Sequence, residues 1–217
     1  MSEYKGKFIT FEGGEGVGKS RLIYNLSHSK LLKSDTVFTK EPGAGTSINK
    51  GIRHLLMESH MDVETETLLF LADRSEHLKT LVNPALKIGT NVLCDRYADS
   101  TLVYQCHVKG FDPLLLNIFS NSLRHTKPDL TFWLDMDPAE ALERRRLHGH
   151  QTKFDKESID FHIKVRSGFE KVARHSPHFV RIDASQSEEK VLHDVWSSLK
   201  SLLDSSWKMK GLMPCVE

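Results

Sequence analysis

Eight residues near the start of the chain, Gly13-Gly14-Glu15-Gly16-Val17-Gly18-Lys19-Ser20, set glycines, a lysine and a hydroxyl at the G-x-x-x-x-G-K-S spacing of a loop that cradles phosphate. Glycines let consecutive backbone N–H groups turn inward around phosphate oxygens, and a helix that follows adds its positive N-terminal end. Lys19 would then reach the outer phosphates, and Ser20 would offer a hydroxyl to Mg2+. The bland alternative is a glycine-rich turn that binds nothing. A β-rich run before the loop and helical spacing after it weigh against that alternative.

Such a loop needs a sheet to hold it. Short β-rich apolar runs occur at 8–11, 36–39, 91–94, 130–134 and 179–182, and between them lie segments with helical spacing around 19–30, 46–57, 64–88, 113–125, 138–148, 156–175 and 188–204. The runs are too continuous for a half-exposed sheet, so the alternation predicts a parallel α/β sheet with helices on both faces. In such sheets ligands bind beyond the carboxyl ends of the strands. The residues there are the polar ones: Glu12 after the first run, Lys40-Glu41-Pro42-Gly43 after the second, Asp95-Arg96-Tyr97 after the third and Asp135 after the fourth.

The chain has 217 residues and no repeat or linker, which fits one domain able to bury its own core. Thirty Lys+Arg stand against 29 Asp+Glu, so no overall field favours nucleic acid or an anionic membrane, and an anionic ligand must be held locally. Apolar residues make up 39% of the chain, with no long apolar span, which excludes a disordered chain and a membrane helix. Cys94, Cys106 and Cys215 are too few and too irregular for a disulfide framework or a cysteine zinc site, and the charged N-terminus lacks a signal-peptide core. A cytoplasmic protein is expected.

The phosphate loop alone does not separate kinases from GTPases or motor ATPases. No Asp is followed by Gly at the D-x-x-G spacing that senses a terminal phosphate. Thr126-Lys127-Pro128-Asp129 imitates a guanine reader but precedes the run 130–134, at the wrong end of the sheet for a ligand. Phe70 and Arg74, spaced i,i+4 on a long helix, share one face; a ring that stacks on a base and a guanidinium that donates to it would make a base reader, although Phe70 alone would be ordinary core.

Residues 92–105, Val-Leu-Cys-Asp95-Arg96-Tyr-Ala-Asp-Ser100-Thr101-Leu-Val103-Tyr104-Gln105, resemble the D-R-[YFH]-x-x-S-x-x-A-Y-Q signature of thymidylate kinases, with Val103 where Ala is usual. Glu41-Pro42-Gly43, Leu69-Phe70-Leu71-Ala72-Asp73-Arg74 and an arginine-rich segment before Glu157-Ser158 follow the family order. The resemblance covers about residues 7–204. It implies a phosphate-loop nucleoside-monophosphate kinase fold, a five-stranded parallel sheet flanked by helices, that moves the γ-phosphoryl of ATP to dTMP with Mg2+, and homodimers built from helices packed face to face. One kinase domain over 1–204 would carry a lid at about 144–155, and 205–217 would be a surface tail.

Roles follow by resemblance. Gly13 to Ser20 would bind ATP, with Ser20 and Asp95 on the metal. Glu12 would lie near the 3′-hydroxyl, Arg53 near the acceptor phosphate, Phe70, Arg74, Thr101 and Gln105 at the base, and Ser100 beside them. Tyr104 would press on the sugar and disfavour ribose. Phosphoryl transfer rests on positioning and positive charge, so Lys19, Arg96 and the lid cations Arg144, Arg146 and Lys153 are the catalytic candidates beside Asp95. The middle of the phosphate loop holds Glu15, Gly16 and Val17 and no Arg, a bacterial-type pattern in which the lid supplies the cation. Departures are Lys40 for Arg, one extra residue before Thr46, Thr152-Lys153 for Asp-Arg, and Phe169 for Tyr. A kinase for another nucleotide or nucleoside, and a nucleotide-binding module without catalysis, are the competing readings.

Overall fold

A computed structural model describes residues 4–33, 35–147 and 153–208 of the chain. Strand β1 (Phe8–Glu12) is buried at every residue, as the middle of a parallel sheet requires. It feeds the phosphate loop and helix α1 (Lys19–His28). Then come β2 (Val37–Lys40), α2 (Ser47–Glu58), α3 (Val63–His77), α4 (Asn83–Ile88), β3 (Val92–Asp95), α5 (Ala98–Thr101), α6 (Pro113–Ser122), β4 (Leu130–Asp135), α7 (Pro138–Leu147), α8 (Ile159–His175), β5 (Phe179–Asp183) and α9 (Glu188–Lys208). The five strands pair in parallel in the order β2-β3-β1-β4-β5. The chain thus leaves β1 in both directions, and the crevice for a ligand opens at its carboxyl end.

Alternation along the strands divides the core. Ile9, Phe11, Leu93 and Phe132 face one side and pack with Leu22, Leu26, Val195 and Leu199 of α1 and α9. Phe8, Val92 and Cys94 face the other and pack with Leu78, Val82 and Leu86. On that side a third cluster gathers Val103, Tyr104, Trp133, Val165 and Phe169. Phe169 is fully buried there with its ring 6.3 Å from that of Tyr104, so the departure at this position is accommodated by the core.

The helical segment at 64–88 is one run with a wide turn, Leu78–Val82, between α3 and α4. Pro84 follows that turn; it has no N–H to give an ordinary helical ladder, and a widened turn accommodates the gap. A second wide turn, Leu102–Val108, prolongs α5, a helical element that periodicity did not predict. Helix α9 continues four residues past the expected boundary at 204, and 209–217 lie outside the described residues, as do 148–152 of the expected lid. Asp129 accepts from Lys7 Nζ and Phe8 N, both at 2.9 Å, at the amino end of β1 and away from the crevice. Among the described residues no helix is long and apolar enough to cross a membrane.

Candidate active site

A cavity of about 620 Å3 lies beyond the carboxyl ends of β1, β2 and β3. The phosphate loop forms one wall. Gly16 sits at φ 75°, and a Cβ there would come within 1.9 Å of the Ala141 carbonyl oxygen, so both conformation and space demand glycine. Lys19 lies inside the loop, its Nζ donating to the Gly13 and Gly14 carbonyls at 3.0 and 2.6 Å. Burial, and then the positive charge of Arg96, lower its pKa to about 8.

The end of β3 supplies the next groups. Ser20 donates to Asp95 Oδ2 at 2.8 Å, while Asp95 Oδ1 is buried with no partner. Arg96 adopts φ 66°, an unusual backbone for a residue with a Cβ and one found where function holds a side chain in place. Its Nη1 donates to Gly13 O at 3.0 Å and Ser100 Oγ at 3.2 Å, and its Nη2 to Glu15 Oε1 at 2.8 Å. Tyr104 donates to Glu15 Oε2 at 2.6 Å. Lys19, Ser20, Asp95, Arg96, Ser100 and Tyr104 therefore share one cavity with the loop.

Across from the loop stands the stripe of α3. Phe70 and Arg74 both line the cavity, as does Thr101. Arg74 is almost fully buried; Nε donates to Glu41 Oε2 at 2.8 Å and Nη2 to Thr101 Oγ1 at 2.9 Å, but Nη1 is buried with no partner. Glu41 also meets His77 Nδ1 at 2.9 Å, and His77 Nε2 lies 2.7 Å from Thr39 Oγ1. Arg53 lines the cavity, donates to Pro42 O at 3.0 Å and crosses Gly43, where a Cβ would meet its Cδ at 2.3 Å. The Glu41-Pro42-Gly43 bend thus holds two arginines, one from α2 and one from α3. Gln105 lines the cavity and donates through Nε2 to Glu66 Oε2 at 3.0 Å.

Glu12, Arg146 and Lys153, all expected in the site, lie off the wall of this cavity. Glu12 is fully buried and off the cavity wall; it accepts from Tyr97 N at 2.8 Å, Ser100 N at 3.2 Å and Ser100 Oγ at 2.5 Å, which fixes the turn after β3. The loop carboxylate at the cavity is Glu15. Arg146 is exposed and paired with Glu143, one turn back on α7, at 2.8 and 2.9 Å, because the helix turns this position to solvent. Lys153 is not on the cavity wall but 3.1 Å from the buried Glu66, a carboxylate that requires cations.

Arg144 and Arg145 do line the cavity. Arg144 donates to Ala184 O at 3.2 Å, and Arg145 to Asp155 at 3.1 and 3.4 Å. Glu41, Glu66 and Arg145 carry connections that sequence reasoning did not assign, and Glu15, expected as part of the ATP-binding loop, also holds Arg96 and Tyr104. Only Glu41 had a local signal, its place in Glu-Pro-Gly at a strand end.

Known proteins resemble this chain over most of its length. A family profile described as Thymidylate kinase matches residues 11–195. The thymidylate kinase of Trichodesmium erythraeum is 37% identical, covering 94% of this chain and 98% of its own, and that of Staphylococcus epidermidis is 40% identical, covering 88% and 96%. The crystal structure of thymidylate kinase from Ehrlichia chaffeensis superimposes with a TM-score of 0.73 at 30% identity, over 90% of this chain and 98% of that one. Family profile, sequence relatives and fold coincide, and the chain belongs to the thymidylate kinase family.

Proposed function

We propose that this kinase transfers the γ-phosphoryl of ATP to dTMP, giving dTDP, and that the single observation carrying the acceptor is the buried, unpartnered Nη1 of Arg74 on the cavity wall next to Phe70. A buried guanidinium N–H without a partner costs stability unless a ligand takes it. An exocyclic carbonyl of a stacked pyrimidine supplies that acceptor.

The remaining residues take roles from position. Lys19 neutralises the donor's outer phosphates, Arg96 stands between the loop and the acceptor side, and Arg53 reaches the acceptor phosphate. Among the described residues no three His, Cys, Asp or Glu gather as a metal site. That suits Mg2+, which keeps most of its ligands as phosphate and water oxygens. Ser20 and Asp95, with the unpartnered Oδ1, fit such an ion and would hold it. When bound it neutralises charge on the phosphates.

Two further readings belong here. Leu114, Leu115, Ile118 and Phe119 of α6 are exposed together, which supports pairing with a second copy of the chain. Cys94 and Cys106 are free thiols, which suits a cytoplasmic setting.

The test is coupled ADP release with ATP and Mg2+ against dTMP, dUMP, dCMP, dGMP and thymidine. The expected order is led by dTMP. Activity led by thymidine overturns the proposal.

A further inference from the structure

Glu66 lies outside the cavity, is almost fully buried in α3, and sits one and two helical turns before Phe70 and Arg74 on the same stripe. Three donors converge on it: Gln105 Nε2 at 3.0 Å and Lys109 Nζ at 2.6 Å on Oε2, and Lys153 Nζ at 3.1 Å on Oε1. The two lysine nitrogens also stand 5.3 Å from the centre of the Phe154 ring, which lines the cavity beside Gln105.

An amide can present either its oxygen or its nitrogen. Beside a carboxylate held ionised by two lysines, which only accepts, Gln105 must turn its NH2 to Glu66. Its carbonyl oxygen is then the group left for a ligand on the cavity side. Resting on the acceptor reading above, we propose that Glu66 is a positioning residue for base choice: it fixes Gln105 as an acceptor, which admits a ring N–H and refuses a ring nitrogen lone pair.

Combined with the donor Nη1 of Arg74, the wall then offers a donor and an acceptor. A 4-oxo pyrimidine brings the complementary carbonyl and N3–H. A 4-amino pyrimidine brings the same two groups reversed, and a site whose buried polar groups are left unpaired by a ligand rejects it strongly. Glu66 thereby sets a preference that it does not touch.

Glu66→Gln is the test, because glutamine keeps the shape but can donate as well as accept, which frees the Gln105 amide to turn over. The readout is the ratio of kcat/KM for dUMP to that for dCMP, acceptors that differ only at this edge of the ring. The ratio should fall about tenfold or more, through a higher KM for dUMP, with the KM for ATP unchanged. Glu66→Asp, which still only accepts, should keep most of the preference. If Glu66→Gln does not fold, Glu66→Gln with Lys109→Met removes one of the stranded cations together with the anion and serves the same measurement. An unchanged ratio in the folded Gln variant, or an equal loss for both acceptors, overturns the proposal. Wild-type enzyme that does not phosphorylate dTMP would instead overturn the acceptor reading itself.

Discussion

Arg96 and Glu15 form an ion pair across the cavity, Nη2 to Oε1 at 2.8 Å, that joins the turn after β3 to the middle of the phosphate loop. Tyr104 closes the group by donating to the second oxygen of the same carboxylate, and the Arg96 guanidinium carbon lies 5.3 Å from the centre of the Tyr104 ring. One loop carboxylate therefore orients both Arg96, the cation proposed to stand between the loop and the acceptor, and the Tyr104 ring.

Glu15→Ala should expose that dependence. A charge-assisted hydrogen bond contributes about 1.5–3 kcal/mol, equivalent to about 10- to 150-fold, so kcat/KM for dTMP should fall within that range. The KM for ATP should stay constant or drop, since an anion has been removed from beside the phosphates. Steady-state kinetics with each substrate varied in turn decide it; an equal loss for both substrates would assign Glu15 to the general shape of the loop.

Arg74 serves the fold and the acceptor together, so its substitutions must be chosen to separate the two. Removing one partner of a buried ion pair costs about 3–5 kcal/mol, and Arg74→Ala would strand Glu41 in that way. Arg74→Lys keeps a charge for Glu41 but has no second terminal nitrogen. We expect it to retain most of the melting temperature while raising the KM for dTMP at least tenfold, with the KM for ATP unaffected. A variant with the wild-type KM for dTMP would show that Nη1 meets no substrate.

Glu12 makes stability depend on pH. Burial, reinforced by the nearby negative charge of Asp99, pushes its pKa from the ordinary 4.5 up to about 8. Between those values the folded chain holds a proton that the unfolded chain has lost. Stability from this group is therefore complete below about pH 4.5 and is lost as pH rises toward 8, with a slope of at most about 1.4 kcal/mol per pH unit. Glu12→Gln cannot ionise, so its stability relative to wild type should rise steadily from pH 5 to 8. Urea unfolding of both proteins across that range measures the difference, in which all other titrations cancel; a constant difference rejects the shift.

What the sequence reveals and what it hides follow from the range of the interactions involved. The phosphate loop and Asp95-Arg96 are legible because their chemistry is set by neighbours along the chain. The strands are legible because a buried parallel strand is a continuous apolar run. The helical stretch 98–108 is not, because Asp99, Ser100, Thr101 and Val103 are weak helix formers held by tertiary contacts: Glu12 accepts from Ser100, and Arg74 donates to Thr101. Glu12 and Glu15 are both acidic and three residues apart; only the turn of the loop sends one into the core and the other to the cavity. Glu66 could not be singled out, because its partners lie 39 to 87 residues away.

The α7 side of the cavity gives the prediction that separates position from composition. Successive residues on a helix point about 100° apart, so Arg144, Arg145 and Arg146 cannot all face the phosphates. Arg146 is turned to solvent and held by Glu143, and an exposed pair of this kind contributes little, so Arg146→Ala should leave kcat within twofold of wild type. Arg145 lies against the loop itself: a Cβ on Gly16 would be 3.1 Å from the Arg145 Cβ, and its guanidinium is steadied by the buried Asp155 side chain. A cation so placed supports charge that develops on the transferring phosphoryl, so its loss should lower kcat by at least about a hundredfold with little change in either KM. Arg144, anchored on the Ala184 carbonyl, should act on ATP binding and raise the KM for ATP instead. Lys153→Ala should raise the KM for dTMP, through Glu66, and spare kcat. Single-turnover rates of the four alanine variants at saturating substrates, together with steady-state kinetics in which each substrate is varied in turn, decide among these positions, and a near-native rate for Arg145→Ala would place the catalytic cation on Arg96 alone.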